Sequence, residues 1–192
     1  MELNEFKYPP DDGNVPNFYQ EIWNDGEYDR FGISVEPGDI VVDCGGNIGL
    51  FAQYAISKGA SQVYSFELTD YYFNYLKQNT MFNPNINVYK GAVSDRTEDW
   101  NIPRIINSVT MGKGIDFLKV DIEGWEYPTL INCPDYYLNM VKKIAIEVHY
   151  NEDVTKERTM NLMEKLSKCG FKLAYEQIHK ETTLGMIYGT KI

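Results

Sequence analysis

Short apolar runs alternate with segments of helical spacing along most of this chain, which restricts the folds open to it. The apolar runs predict strands at residues 40–42, 62–66, 86–89, 117–120, 143–148, 171–177 and 184–188. The segments between them predict helices at residues 49–58, 71–79 and 153–169, the last closed by Gly170. Such alternation is typical of βαβ units, whose parallel sheet is covered by helices on both faces. The last two strands, joined by a turn around Lys180-Glu181, predict an antiparallel hairpin at one edge.

The length of 192 residues fits a single domain over residues 1–192. We expect an α/β core at residues 37–192, preceded by residues 1–36 as a lid or a packing segment. Within that segment, Tyr19 and Trp23 stand at helical spacing and are expected to pack against the sheet rather than to bind a ligand. No apolar run approaches the ~18 residues of a membrane span.

The chain is acidic, with 18 Lys and Arg residues against 28 Asp and Glu residues and a formal charge of −10. Such a surface repels phosphate backbones and anionic lipid, so we expect no non-specific nucleic-acid binding and no membrane binding. Three widely spaced cysteines and a first segment without the pattern of a secretory signal predict a cytoplasmic protein with reduced thiols. The sequence predicts no oligomeric state.

A glycine-rich turn, Asp43-Cys44-Gly45-Gly46-Asn47-Ile48-Gly49, follows the first predicted strand. Glycines permit positive φ and close approach of a ligand to the backbone. Dinucleotide-binding proteins carry a glycine where this chain has Asp43, whose carboxylate would repel a pyrophosphate and suit an ammonium group. Glu67 ends the second strand, where a carboxylate accepts hydrogen bonds from ribose hydroxyls. Together these residues predict S-adenosylmethionine as the ligand, although a purely structural turn remains the alternative.

A second motif, Phe117-Leu118-Lys119-Val120-Asp121-Ile122-Glu123-Gly124-Trp125-Glu126, ends a buried strand in three carboxylates. Asp121 stands at the strand end, where α/β sheets bind their ligands, and a functional role is favoured for it. Lys119 shares its side of the strand and is expected to offset part of the repulsion. For Glu126, stabilisation of the next helix through its dipole is the favoured interpretation.

Both motifs, with Glu67 and the stretch Gly91-Ala92-Val93-Ser94-Asp95, resemble the FkbM-type S-adenosylmethionine-dependent methyltransferases over about residues 20–150. The resemblance implies a Rossmann-like class I fold with a seven-stranded, mostly parallel sheet. It also implies methyl transfer, usually to a hydroxyl of a sugar or natural product. Where the family commonly has proline after its acidic residue, this chain has Leu68. The expected cofactor-binding residues are Asp43, Gly45, Gly46, Asn47, Gly49, Glu67, Leu68, Ala92, Val93 and Asp121.

A hydroxyl acceptor must lose its proton, which requires a base or a metal ion. His149 follows the fifth predicted strand and is our candidate base, with Asp121 and Lys119 completing the predicted catalytic set. A structural role at the strand end is the alternative for His149, and His179 is expected to be structural or solvated. As a second hypothesis, four side chains could bind Mg²⁺: Asp121, Glu123, Glu147 and His149. A reaction without a metal ion is the preferred interpretation.

The methyl acceptor is expected to be a small molecule or a glycan, recognised by a loop at residues 97–114. Three alternatives stay open. They are N- or carboxyl-methylation of a peptide or small molecule, a non-catalytic module that only binds the cofactor, and a dinucleotide oxidoreductase, which Asp43 disfavours.

Overall fold

The computed structural model describes residues 1–149, 156–177 and 184–191. Its core is a seven-stranded sheet in the order β3-β2-β1-β4-β5-β7-β6. The strands are β1 (Ile40–Cys44), β2 (Gln62–Glu67), β3 (Ile86–Lys90), β4 (Ile115–Val120), β5 (Val141–His149), β6 (Lys172–Gln177) and β7 (Leu184–Thr190). Strand β7 runs antiparallel to β5 and β6, and the other neighbouring strands are parallel. The predicted mostly parallel sheet with an antiparallel edge is confirmed.

Helices cover both faces of this sheet because successive strand residues point to opposite sides. Val42 packs into a core with residues of the helices after β3, β4 and β5, whereas Val41 packs with the helix after β1 and the segment before it. The helices are α1 (Val15–Tyr19), α2 (Leu50–Ser57), α3 (Asp70–Thr80), α4 (Ile102–Arg104), α5 (Glu126–Ile131), α6 (Asp135–Leu138) and α7 (Lys156–Lys168). Helix α1 continues as a π-helical turn (Gln20–Asn24), and α4 continues as another (Ile105–Val109).

The expected acceptor loop at residues 97–114 is wrong over its central part. Helix α4 and the π-helical turn after it occupy this stretch, and Ile102, Ile105 and Ile106 are fully buried there. Their helical spacing places all three in the hydrophobic core, so these side chains are not available to contact an acceptor. The start of the predicted helix 153–169, the turn at Lys180-Glu181 and His179 lie outside the described residues.

The segment before β1 packs against helix α2. Tyr19 and Trp23 stack with ring centroids 5.8 Å apart, and Trp23 meets Tyr54 of α2 edge-on at 5.5 Å. The expected packing of Tyr19 and Trp23 is confirmed, although their partner is a helix rather than the sheet itself. Within the described ranges no helix combines the length and apolar character of a membrane span.

Candidate active site

The turn after β1 joins the tips of three strands. The N–H groups of Gly45 and Gly46 donate to the carbonyl of Phe66 on β2, at 3.0 and 2.8 Å. Asp121, after β4, donates its N–H to the carbonyl of Cys44 at 3.0 Å. Gly45 has φ +91°, and a Cβ atom there would lie 1.8 Å from the Asp121 carbonyl oxygen. Only glycine therefore permits this close approach of the β1 and β4 tips, which lie at the switch point of the sheet.

Glu67 is held in place at the end of β2. One carboxylate oxygen accepts from the N–H of Asn47 at 3.0 Å, and the other accepts from the N–H and the hydroxyl of Thr69 at 2.7 and 2.8 Å. Each oxygen of an ionised carboxylate accepts more than one hydrogen bond. Glu67 is thus fixed by the protein yet keeps acceptor capacity for a ligand.

Asp43 and Lys119 form a buried ion pair beneath the turn. Asp43 accepts from the Ser65 hydroxyl at 2.6 Å, and its second oxygen lies 3.3 Å from the Lys119 ammonium nitrogen. Lys119 also lies 3.2 Å from an oxygen of Asp121 and donates to the Gly45 carbonyl at 2.6 Å. The predicted side-by-side arrangement of Lys119 and Asp121 is present, and Lys119 offsets the charges of two carboxylates.

The position of Asp43 does not allow the direct ligand contact that the sequence predicted. Its side chain is fully buried and lines neither of the cavities beside the turn, because β1 directs it inward opposite Lys119. Burial raises the pKa of Asp43, an effect that Lys119 and Ser65 partly offset. Burial alone would lower the pKa of Lys119, but Asp121 and Asp43 hold it well above its ordinary value. The two carboxylates therefore favour the charged form of Lys119.

Two cavities flank the glycine-rich turn. The adenosine-side cavity, of 480 Å³, is lined by residues that include Glu67, Leu68, Ala92, Val93, Ser94 and Trp125. The central cavity, of 170 Å³, is lined by residues that include Phe18, Tyr28, Gly46, Lys119, Glu147 and His149. Both cavities are also lined by Gly45, Asn47, Asp121 and Glu123. All predicted cofactor residues except Asp43 and Gly49 therefore line one of two adjoining cavities, and Gly49 caps helix α2 with φ +95°.

His149, at the end of β5, is surrounded by carboxylates. Its Nδ1 atom lies 3.1 Å from an oxygen of Glu126, and its Nε2 atom lies 3.5 Å from Glu123 and 3.6 Å from Glu147. Burial lowers the pKa of His149, but the hydrogen bond and charge of Glu126 and the charge of Glu147 outweigh it and raise the pKa to about 9. For Glu147, burial and the charges of Asp121 and Glu27 raise the pKa.

Glu126 makes two kinds of contact, and only the first was predicted from the sequence. It is fully buried in the first turn of α5 and accepts from the N–H groups of Ile122 and Gly124, at 2.9 and 3.1 Å. This contact agrees with the structural role expected for Glu126. Its hydrogen bond to His149 was not predicted, because only the adjacency of β4 and β5 brings the two residues together.

Three side chains at this edge could share a metal ion. Asp121, Glu123 and His149 each offer a ligand atom, and these atoms lie within 4.8 Å of one another. Mg²⁺ prefers oxygen ligands, whereas imidazole suits Zn²⁺, Cu²⁺, Fe²⁺ or Ni²⁺ better. The donor set therefore fits a transition metal at least as well as the Mg²⁺ considered from the sequence.

Comparison with known proteins relates part of the chain to one family. The FkbM methyltransferase domain profile matches residues 89–173, which include the second motif. The resemblance stated from the motifs is thereby confirmed over these residues.

Two curated relatives match this chain over a small part of their own length. The 31-O-demethyl-FK506 methyltransferase FkbM of Streptomyces tacrolimicus is 36% identical over 70 residues, which cover 36% of this chain and 27% of that protein. The AMB antimetabolite synthetase AmbE of Pseudomonas aeruginosa is 25% identical over 244 residues, which cover 92% of this chain and 11% of that protein. The matched stretches thus span about a quarter of the first relative and about a tenth of the second.

Solved structures share the fold at low sequence identity. Fibrillarin of Aeropyrum pernix, crystallised with natively bound S-adenosyl-L-methionine, has a TM-score of 0.56 and 14% identity over 85% of this chain and 71% of that chain. Ribosomal RNA methylases are among the other neighbours. The fold is therefore the Rossmann-like class I fold.

Proposed function

We propose that this protein transfers a methyl group from S-adenosylmethionine to a hydroxyl of a small molecule, sugar or natural product. The observation that carries the proposal is the pair of cavities meeting at Gly45 and Asp121. One holds the carboxylate of Glu67 and the other holds the imidazole of His149. A nucleoside and a reacting group would thus lie on either side of one strand junction.

In the proposed cofactor site, different side chains contact the nucleoside end and the amino-acid end of the ligand. Glu67 accepts from the ribose hydroxyls, and Leu68, Ala92 and Val93 line the space for adenine. At the amino-acid end, Asp121 faces the ammonium group and Lys119 faces the carboxylate. Asp43 acts through Lys119, which it keeps charged and in position. When bound, the cofactor supplies a methyl group on a sulfonium, so the reactivity is its own.

In the proposed reaction, His149 accepts the proton of the acceptor hydroxyl. The neutral imidazole donates Nδ1–H to Glu126, which fixes the tautomer and leaves Nε2 free as the proton acceptor. Glu126 is a positioning residue, because it touches His149 and not the acceptor. Asp121 and Lys119 orient the reacting groups and do not take the proton.

The charge of the central cavity supports a small acceptor rather than an RNA. Its walls carry the carboxylates of Glu27, Glu123 and Glu147, and the whole chain has a charge of −10. A phosphate backbone would be repelled there, although several neighbours of this fold are RNA methylases. The same charge disfavours carboxyl-methylation and keeps N-methylation of an amine as the alternative. The free cysteines support the proposal of a cytoplasmic protein.

Replacing Glu67 with alanine should weaken binding of S-adenosylhomocysteine by about 1–3 kcal/mol, the usual loss for a hydrogen bond to a charged group. Isothermal titration calorimetry measures this change, with NAD as a comparison ligand. Glu98→Ala, outside both cavities, is the matched control and should bind normally. Unchanged affinity in Glu67→Ala, or tighter binding of NAD, would contradict the cofactor assignment.

Replacing His149 with glutamine should lower turnover by a factor of about 10²–10⁴ and leave cofactor affinity unchanged. His149 acts in its neutral form, so with a pKa of about 9 the wild-type rate should rise with pH from 7 to 9. Product mass analysis over an acceptor panel supplies the assay. A flat pH profile in the wild type would remove His149 as the base.

The product assay also tests two alternatives, a metal-dependent reaction and a module that binds the cofactor without catalysis. Loss of turnover on chelation, restored by Zn²⁺, Mn²⁺ or Mg²⁺, would replace the metal-free mechanism with one using Asp121, Glu123 and His149. Cofactor binding without any methylated product across the panel would favour the non-catalytic module.

A further inference from the structure

A third cavity adjoins the central one on the side away from the adenosine-side cavity. It has a volume of 230 Å³ and is lined by Glu21, Asp25, Glu27, Arg30, Glu176, Met186 and Tyr188. Glu21 and Glu27 line the central cavity as well. The three cavities therefore follow one another in a row, and Glu27 stands where the second meets the third. We call the third one the N-terminal cavity.

The backbone of Glu27 is fixed from both sides. Its N–H donates to the carbonyl of Glu21 at 2.9 Å, and its own carbonyl accepts from the Tyr188 hydroxyl at 2.7 Å. Tyr188 is fully buried on β7, so this contact ties Glu27 to the sheet. The protein thus defines the position of Glu27 with contacts that do not involve its carboxylate.

The carboxylate of Glu27 faces two cavities and has no donor among the described residues. The residue is 9% exposed and lines both the central and the N-terminal cavity, and no described residue forms a hydrogen bond or ion pair with its side chain. The nearby cations are engaged elsewhere, because Lys119 pairs with Asp43 and Asp121 while Arg30 pairs with Glu176 at 2.7 Å. A largely buried carboxylate without a partner is costly in its ionised form, so a donor entering either cavity would stabilise that form.

We propose that Glu27 binds an ammonium group of the methyl acceptor, which enters through the N-terminal cavity and is therefore an amine-bearing small molecule. This inference rests on the proposed function, since it assumes that the adenosine-side and central cavities hold the cofactor. The row of cavities favours the acceptor as the source of the ammonium group. Asp121 lines the central and the adenosine-side cavities, whereas Glu27 lines the central and the N-terminal cavities.

The surrounding charges agree with a cationic acceptor. Besides Glu27, the N-terminal cavity is lined by the carboxylates of Glu21 and Asp25 and by the ion pair between Arg30 and Glu176. Burial and the charges of Glu21 and Asp121 raise the pKa of Glu27 to about 7, while Lys119 and Arg30 lower it in part. An arriving cation would favour the ionised carboxylate, so its binding should release protons near neutral pH.

The test uses three probes with the same four-carbon chain: 1,4-diaminobutane, neutral 1,4-butanediol and anionic succinate. Each is titrated by calorimetry into the full chain saturated with S-adenosylhomocysteine. We expect only the diamine to bind, and we expect Glu27→Gln to weaken it about 10- to 100-fold. Glu164→Gln, an exposed carboxylate of α7 paired with Lys168, is the matched control and should bind the diamine normally.

The results separate failure of this inference from failure of the proposed function. Glu27→Gln should keep its S-adenosylhomocysteine affinity and thermal midpoint, which shows that the variant is folded. Normal cofactor-product binding without diamine binding, or equal diamine binding in both variants, would overturn the role of Glu27. Competition between the diamine and S-adenosylhomocysteine, with both weakened by Glu27→Gln, would assign Glu27 to the cofactor and overturn the acceptor site. Absence of S-adenosylhomocysteine binding to the wild type would instead reject the proposed function.

Discussion

Replacing Lys119 with methionine should lower the free energy of unfolding by about 3–5 kcal/mol, the range for removing one partner of a buried ion pair. The side chain of Lys119 is 4% exposed, and that of Asp43 beside it is fully buried. Methionine has a similar shape but no charge, so Asp43 would keep a buried carboxylate with only Ser65 as a donor. Chemical denaturation monitored by circular dichroism measures the change.

Lys142→Met is the matched control for this experiment. Lys142 pairs with Asp116, yet its side chain is 73% exposed, and exposed pairs contribute less than about 1 kcal/mol. The double variant Lys119→Met/Asp43→Asn should recover part of the lost stability, because it removes the stranded charge as well. Equal losses in Lys119→Met and Lys142→Met would show that the buried cation does not organise the site.

Replacing Gly45 with alanine should destabilise the fold by more than about 4 kcal/mol or prevent folding, and should abolish cofactor binding. The new Cβ would lie 1.8 Å from a backbone oxygen of Asp121, which no side-chain rotation relieves. Separating the β1 and β4 tips is the remaining response, and it would open the junction of the two cavities. Thermal unfolding and titration with S-adenosylhomocysteine report the two effects separately.

Gly112→Ala is the control that measures the backbone strain alone, without the steric clash expected at Gly45. Gly112 has φ +75°, and a Cβ atom there would meet no atom within 4 Å. The cost should be about 1–2 kcal/mol, that of placing an ordinary residue in the left-handed region. If the two alanine variants were equally stable and both bound the ligand, the close approach at Gly45 would not be required.

The residues at the strand ends and in the glycine-rich turn could be predicted from the sequence, because each is marked by the residue types next to it in the chain. Parallel strands bring their carboxyl ends to one edge of the sheet. The proximity of Asp43, Glu67 and Asp121 could therefore be predicted although they are far apart along the chain. The inward direction of Asp43 was missed because it depends on register. Only the pairing of β1 with β4 sets Asp43 opposite Lys119.

Other parts of the site have no local signature. The contact of His149 with Glu126 joins two adjacent strand ends and depends on how α5 begins. Glu27 lies in an irregular segment, and its distinguishing contact comes from Tyr188, 161 positions along the chain. The apolar spacing at Ile102, Ile105 and Ile106 was available, but the polar residues after it led us to expect a loop.

Different stretches of the chain contribute to the three cavities. The ends of β2 and β3 contribute to the adenosine-side cavity, whereas residues 21–30 supply four of the seven residues that line the N-terminal cavity. If the adenosine-side cavity binds the nucleoside as proposed, substitutions in residues 21–30 would alter which acceptor enters and would leave binding of the methyl donor unchanged. A change of acceptor would then require the exchange of only one short segment.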